Sequence, residues 1–322
     1  MRRSLVPSPA QTPPATWSRA RTTTVLVAAS IAVATSGPFG KLAAPASPFL
    51  VAAFRTVAAG GFLFALAPRQ TVRAVAGLSR RDGLAVFSAG AVLALHFALF
   101  LWGLQETSLA SAITLVSLEP VSVVLAVWVF LGLRPKRGEI VGIALATAGG
   151  VVVAGGMGSG DHRLFGDLLV LGAVALYGGY LTFARRLATA LDPHSYAVAV
   201  YAAASVTLGL VCAVLRPTLA LPSSSYGYML ALALVPTLIG HTLVQNAARH
   251  IPPALVALVS PGETVGGLLI GAVLLRAPPR GAEMAGATLV LLGVVCTVLA
   301  QRASAARASS GVRDDQRPDE PG

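Results

Sequence analysis

Ten apolar runs of helix length follow one another along the chain, separated by short polar gaps. Each is close to the ~20 residues needed to cross ~30 Å of hydrocarbon. The pattern predicts membrane-spanning helices at 24–42, 47–67, 83–103, 110–133, 139–156, 166–187, 194–215, 226–247, 253–275 and 282–301. Two of these runs carry a carboxylate in their interior. Glu119 stands in Ser117-Leu118-Glu119-Pro120, and Glu263 in Ser260-Pro261-Gly262-Glu263. A charged residue at a helix centre costs roughly 2.5–3.5 kcal/mol on insertion scales, so it marks a site with a purpose.

The two acidic stretches are copies. An offset of 144 carries Glu119 onto Glu263, Pro135 onto Pro279 and Glu139 onto Glu283, within 12 identities over the 44 positions from 110 to 153 without a gap. Matches between Ala, Val, Leu and Gly mean little in so apolar a chain, but matched Glu and Pro are harder to produce by chance. The reading is two copies of one five-span unit, 24–156 and 166–301, each built around a membrane-buried glutamate. Residues 1–23 and 302–322 are polar and rich in Arg, Pro and Ser, and are expected to be disordered tails. The opening stretch of the first run, Thr24 to Ala34, closes on Ala32-Val33-Ala34 and has the look of a secretory signal. Its long, Pro-rich basic leader and the need for five spans per unit favour a first transmembrane helix.

Ten spans put both termini on one side of the membrane. Of the 24 Lys and Arg residues, eighteen fall on that shared side and five on the other. Basic residues flank spans on the cytoplasmic face, so both termini are expected in the cytoplasm of a plasma-membrane protein. Five spans per copy also turn the second copy over relative to the first. The expected fold class is therefore an all-α membrane protein with ten transmembrane helices as two inverted five-helix repeats, an arrangement common in secondary transporters.

Composition narrows the field. The chain has 322 residues, 55% hydrophobic and only 11% charged, and its mean hydropathy is +0.74. Soluble domains carry about 25% charged residues. The net charge of +11 sits in the gaps between spans and is no signal for nucleic acid. Cys212 and Cys296 lie inside apolar runs and make neither a disulfide framework nor a metal-site spacing. No His-Glu-x-x-His, Gly-x-Ser-x-Gly or Walker A pattern occurs, so neither a membrane enzyme nor an ATP-driven pump is expected, and no cofactor or metal.

The pattern Leu118-Glu119-Pro120-Val121, followed by Phe130-Leu131-Gly132, resembles the signature of EamA-type members of the drug/metabolite transporter superfamily. The glycine-rich run Val141-Gly142 to Gly149-Gly150-Val151 and the second span, with Pro48 near its start and Arg55 inside, resemble that family too. The resemblance covers roughly residues 24–301. It implies export of a small organic solute such as an amino acid, a metabolite or a toxic compound. The family usually has a glutamate after the Leu-Gly that closes the fourth and ninth helices. Here Leu133 and Ala277 stand there, with Glu139 and Glu283 as the nearest substitutes.

Counted in from the span ends, Arg55, His96 and Glu119 share a level in the first repeat, and His241 and Glu263 form a second level in the other. These five are the expected substrate and proton pathway. A buried carboxyl group favours its neutral form, and histidine titrates near neutrality, so both residue types suit proton exchange. Arg55 can pair with Glu119 or receive a substrate carboxylate, and both stay open. Glycine breaks at Gly37-Pro38-Phe39-Gly40 and Tyr177-Gly178-Gly179-Tyr180 point to non-helical backbone lining a cavity, with Phe39, Trp102, Tyr177 and Tyr180 as walls. The bland alternative makes the acids and histidines hydrogen-bonding glue between helices and the glycines close-packing points. Small residues at Gly142, Gly149, Gly150, Gly286 and Gly293 favour contact either between the repeats or between two subunits of a homodimer. A structural or sensory membrane scaffold is the rival function, but it leaves the matched buried acids without a role.

Overall fold

The computed structural model describes residues 17–131, 137–155, 164–251, 256, 259–276 and 278–314. Among the described residues all regular structure is helical. The helices are α1 (Arg19–Ala34), α2 (Ser36–Leu42), α3 (Pro48–Leu66), α4 (Pro68–Ala76), α5 (Arg80–Glu106), α6 (Leu109–Val116) and α7 (Glu119–Leu131). Next come α8 (Arg137–Gly155), α9 (Leu164–Arg186), α10 (Pro193–Leu215) and α11 (Ser223–Leu232). A π-helical segment, Ala233–His241, leads into α12 (Thr242–His250), and α13 (Val259–Leu274) and α14 (Gly281–Asp314) complete the chain. Among the described residues seven helical runs are long and apolar enough to cross a bilayer. Shorter apolar stretches at Ile140–Gly149, Gly262–Leu274 and Gly281–Gly293 fall in the three remaining expected spans.

Three spans are broken, and proline explains each break. Proline has no N–H and its ring clashes with the carbonyl four residues earlier. Pro38, Pro120 and Pro236 stand four residues after Ala34, Val116 and Leu232, which are the last residues of α1, α6 and α11. The first break therefore lies at Thr35, one turn before the Gly37-Pro38 pair that announces it. The Thr35 hydroxyl donates to the Ala32 carbonyl at 2.7 Å, and the helix resumes with Phe39 N–H donating to the Thr35 carbonyl at 3.0 Å.

The expected break at Tyr177–Tyr180 is absent. Residues Leu164–Arg186 form one uninterrupted helix. Gly178 serves packing instead: a Cβ there would run into the Ser122 carbonyl of α7, while a Cβ on Gly179 would meet nothing within 4 Å. Glycines of α8 and α14 also pack within the chain. A Cβ on Gly149 would lie 2.8 Å from the Gly286 carbonyl, and one on Gly293 would lie 2.6 Å from the Gly142 carbonyl. Helices α8 and α14 are thus in backbone contact, and these glycines are used between the halves of one chain.

Two sequence expectations at the ends need correction. Helix α1 begins at Arg19, capped by the Ser18 hydroxyl, inside the stretch expected to be disordered to residue 23. Helix α14 runs on to Asp314, past the expected end at 301. The Ala-rich stretch Ala303–Ala308 extends a helix already nucleated, and propagation is far cheaper than nucleation. The short helix α4, between the second and third spans, was also not anticipated. It carries Arg69 and Arg73 beside the exposed Val72.

The surface is rich in large apolar side chains, and polar side chains are buried within an apolar core. Arg55, Thr56, Ser111, Thr114, Ser117, Asp167 and Thr237 are fully buried, whereas the repeat mates Val129 and Val273 are 72% and 77% exposed. Apolar side chains facing outward with the buried polar ones turned inward suit a hydrocarbon solvent.

Candidate functional site

The proline breaks put irregular backbone at one place, and a cavity lies there. Its walls come from both halves of the chain. The first half supplies Val33 and Ser36 beside the Thr35 break, Arg55 of α3, His96, Phe97 and Phe100 of α5, and Val116 and Glu119 from either side of the Ser117 break. The second half supplies Tyr177 of α9, His241 and Val244 where the π segment passes into α12, and Val259 and Glu263 of α13. All five expected pathway residues thus line one cavity. The separate levels expected for the two repeats are merged. Residue counting already carried this: nine or ten residues at ~1.5 Å each place both glutamates near the middle of a ~30 Å core. The free volume is about 20 Å³, room for about one water molecule, so the side chains nearly close upon themselves.

The two acidic motifs touch. The Ser260 hydroxyl donates to Glu119 Oε2 at 2.9 Å. Ser260 opens the stretch that ends in Glu263, so the motifs matched in sequence meet in space. The Ser122 hydroxyl donates to the Glu119 carbonyl at 2.8 Å and fixes the first turn of α7.

Arg55 is held from two directions. Its Nε donates to Thr237 Oγ1 at 2.7 Å, and its guanidinium lies over the Phe97 ring at 3.8 Å from the centroid. The π segment makes the first of these contacts. Pro236 cannot offer an N–H to the Leu232 carbonyl, and the Thr237 hydroxyl donates to that carbonyl instead, at 2.7 Å. The same hydroxyl oxygen is left to accept from Arg55. The Thr237 carbonyl accepts from the Tyr201 hydroxyl at 3.0 Å. π-Helical insertions occur often at functional sites, and here one aims a hydroxyl at a buried cation. Of the two alternatives for Arg55, the pair with Glu119 does not form: both terminal nitrogens of Arg55 are buried without a hydrogen-bond partner, while Glu119 is engaged by Ser260.

His96 Nδ1 lies 2.8 Å from the Ala173 carbonyl. A carbonyl only accepts, so Nδ1 carries the proton and Nε2 is the acceptor. Its ring sits 5.4 Å from Tyr177 and 6.2 Å from His241. His241 meets the Phe97 ring edge-on at 4.8 Å, and its Nδ1 is buried without a partner.

Of the expected walls, Tyr177 lines the cavity and the others serve elsewhere. Gly37 packs against Leu109 and Ile113. Pro38 is buried in α2, and Phe39 packs on Tyr228 at 6.2 Å. Trp102 sits between Phe49 and Phe165 at 5.7 and 5.5 Å. Tyr180 is fully buried, Gly178 packs on α7 as described above, and Gly179 faces no close neighbour. Leu133 and Ala277 lie outside the described residues, as does the side chain of Glu139. Glu283 accepts from the Ser108 hydroxyl and, at 2.8 Å, from Arg280 N–H, so it caps α14 and ties it to the start of α6.

The sequence reading missed Thr237, Phe97 and Ser260. The one available signal was Pro236 in the middle of an apolar span. Among the described residues no three His, Cys, Asp or Glu side chains are grouped to hold a metal.

Comparison with known proteins agrees with this architecture. A protein of known crystal structure superposes with a TM-score of 0.67 at 21% identity, over 88% of this chain and 99% of that one, which speaks for the fold. The uncharacterized transporter YwfM of Bacillus subtilis (strain 168) is 22% identical over 218 residues, 67% of this chain and 74% of that one. The profile of the EamA-like transporter family matches twice, over residues 22–155 and 164–299. With both halves matched and the matched motifs meeting at one cavity, the chain belongs to the EamA-like transporter family.

Proposed function

We propose that this transporter exports a small organic solute by alternating access through the central cavity, with proton entry as the driving force. Ten spans in two inverted repeats, with both termini in the cytoplasm of the plasma membrane, complete the reading. The observation that carries it is the contact between the repeats at Ser260 and Glu119. Inverted repeats that meet at a shared site can rock about it and open it to each face in turn. The small free volume suits a closed intermediate between those two openings. Glu119 and Glu263 each can bind and release a proton, and neither holds the Arg55 terminal nitrogens, so both carboxyls are available for that traffic.

The test is flux in proteoliposomes with a panel of labelled metabolites, with and without an imposed proton gradient. Glu→Gln mimics the protonated acid at nearly constant volume. Glu119→Gln and Glu263→Gln are each expected to express normally and to lose gradient-driven accumulation, and at least one is expected to keep solute exchange. Full gradient-driven activity in the double Gln variant contradicts proton coupling and leaves an exchanger. No flux of any solute by the parent protein contradicts the transport reading itself.

A further inference from the structure

We infer that the cavity takes a compact solute with a single carboxylate, received end-on by the two terminal nitrogens of Arg55. This rests on the cavity being the transport site. The guanidinium is fully buried, and it keeps its charge in proteins. Buried cationic nitrogens without hydrogen-bond partners are among the costlier features a fold can carry. Here Arg55 Nη1 and Nη2 stay without hydrogen-bond partners although two carboxylates line the same cavity, one of which, Glu119, is held by Ser260. The remaining contacts read as preparation for an anion. Thr237 occupies Nε, and the Phe97 face fixes the guanidinium plane. On the edge with two parallel nitrogens, both are without a hydrogen-bond partner. That edge matches the two oxygens of a planar carboxylate.

The other lining groups narrow the ligand. Among the described residues, Arg55 is the one arginine or lysine in the cavity wall, so a second negative charge on the ligand would meet no cation there. A doubly charged phosphate or dicarboxylate therefore fits poorly, and a monocarboxylate fits. Phe97, Phe100 and Tyr177 suit an apolar or aromatic body behind it.

Three compounds of one shape separate the possibilities: benzoate, benzamide and benzylammonium. Their binding to the full-length protein in detergent is read from the shift in melting temperature across a concentration series at pH 7. Benzoate is expected to give a saturable upward shift, with benzamide at least tenfold weaker and benzylammonium without effect. Arg55→Gln is expected to abolish the benzoate shift while melting no lower than the parent, since the change removes a buried charge with two unpartnered nitrogens. Arg55→Lys, which keeps the charge and loses the fork, is expected to weaken benzoate at least tenfold. If benzylammonium or benzamide binds as well as benzoate, or if none binds, the inference falls. It also falls if Arg55→Gln leaves benzoate binding unchanged. Should Arg55→Gln fail to fold, the ranking on the parent protein decides. Arg55-dependent benzoate binding without flux of any solute would leave this inference standing and remove the transport reading. Flux confined to cations would do the reverse.

Discussion

At the scale of single residues, the site depends on a threonine that nothing in the sequence singles out. Thr237 gives its hydroxyl proton to the Leu232 carbonyl and accepts from Arg55. Thr237→Val keeps the shape and strands both groups. Each buried polar group so stranded costs about 1–3 kcal/mol. Thr237→Val is therefore expected to lower the melting temperature and the solute flux together, and Thr237→Ser to retain both. Equal behaviour of the two variants would show that the hydroxyl is idle. Arg55, His96, Glu119, His241 and Glu263 were legible because a titratable group in hydrocarbon stands out against its surroundings. Thr237, Ser260 and Phe97 were not, since such residues occur throughout membrane helices and only the fold shows which one touches a charge. Outside the spans, Asp192 caps α10 by accepting from His194 N–H at 3.1 Å and Ser195 N–H at 3.0 Å. Burial pushes its carboxyl up, but the hydrogen bonds from Ser195, Gln70 and His194 outweigh that and hold it below the usual aspartate value. Such a group stabilises the fold above its unfolded value of about 3.9 and loses that contribution as pH falls through the lower folded value. The melting temperature of the parent is expected to drop below about pH 4 more steeply than that of Asp192→Asn, which keeps an uncharged cap. Parallel pH profiles would contradict the assignment.

At the scale of elements, prolines place the breaks and glycines place the contacts. Pro236→Ala restores an N–H for the Leu232 carbonyl and permits an ordinary α-helix through the eighth span. Losing the π segment's extra residue rotates the downstream helix by about 100°, which swings His241 off the cavity. The variant is expected to melt at or above the parent temperature and to lose flux. Retained flux would show that the π segment is incidental. Gly178 and Gly179 make a matched pair. Gly178→Ala forces α9 away from the Ser122 carbonyl and is expected to cut both expression and flux, whereas Gly179→Ala faces open space and should be neutral. Equal effects would contradict the packing account. The breaks at Thr35 and Ser117 could be anticipated from Pro38 and Pro120, although displaced upstream by a turn. The intact helix at Tyr177–Tyr180 could not, because a glycine pair looks the same whether it breaks a helix or admits a neighbour. The length of α4 and the extension of α14 were hidden for a related reason: polar, Arg-bearing stretches read as loops until a flanking span nucleates them.

At the scale of the whole molecule, the duplication carried the most information. The offset of 144 brought Glu119 and Glu263 into correspondence, and the fold brings their motifs into hydrogen-bonding contact. The offset could not show that both acids face one cavity, since that depends on how the halves interlock around α1, α5 and α13. Orientation is set by the arginines: reporter fusions after Arg73 and Arg302 are expected to read cytoplasmic, and fusions at Ser224 and Pro278 external. A fusion at Pro278 that reads cytoplasmic would remove the inverted arrangement. The most direct test of alternating access uses Ser36, which lines the cavity and is buried. Cysteine is introduced there after Cys212 and Cys296 are replaced by alanine, and a membrane-impermeant thiol reagent is added to right-side-out or inside-out vesicles. The account predicts labelling from both faces, with the balance between them shifted by an imposed proton gradient. Labelling from one face only, unchanged by the gradient, would contradict it.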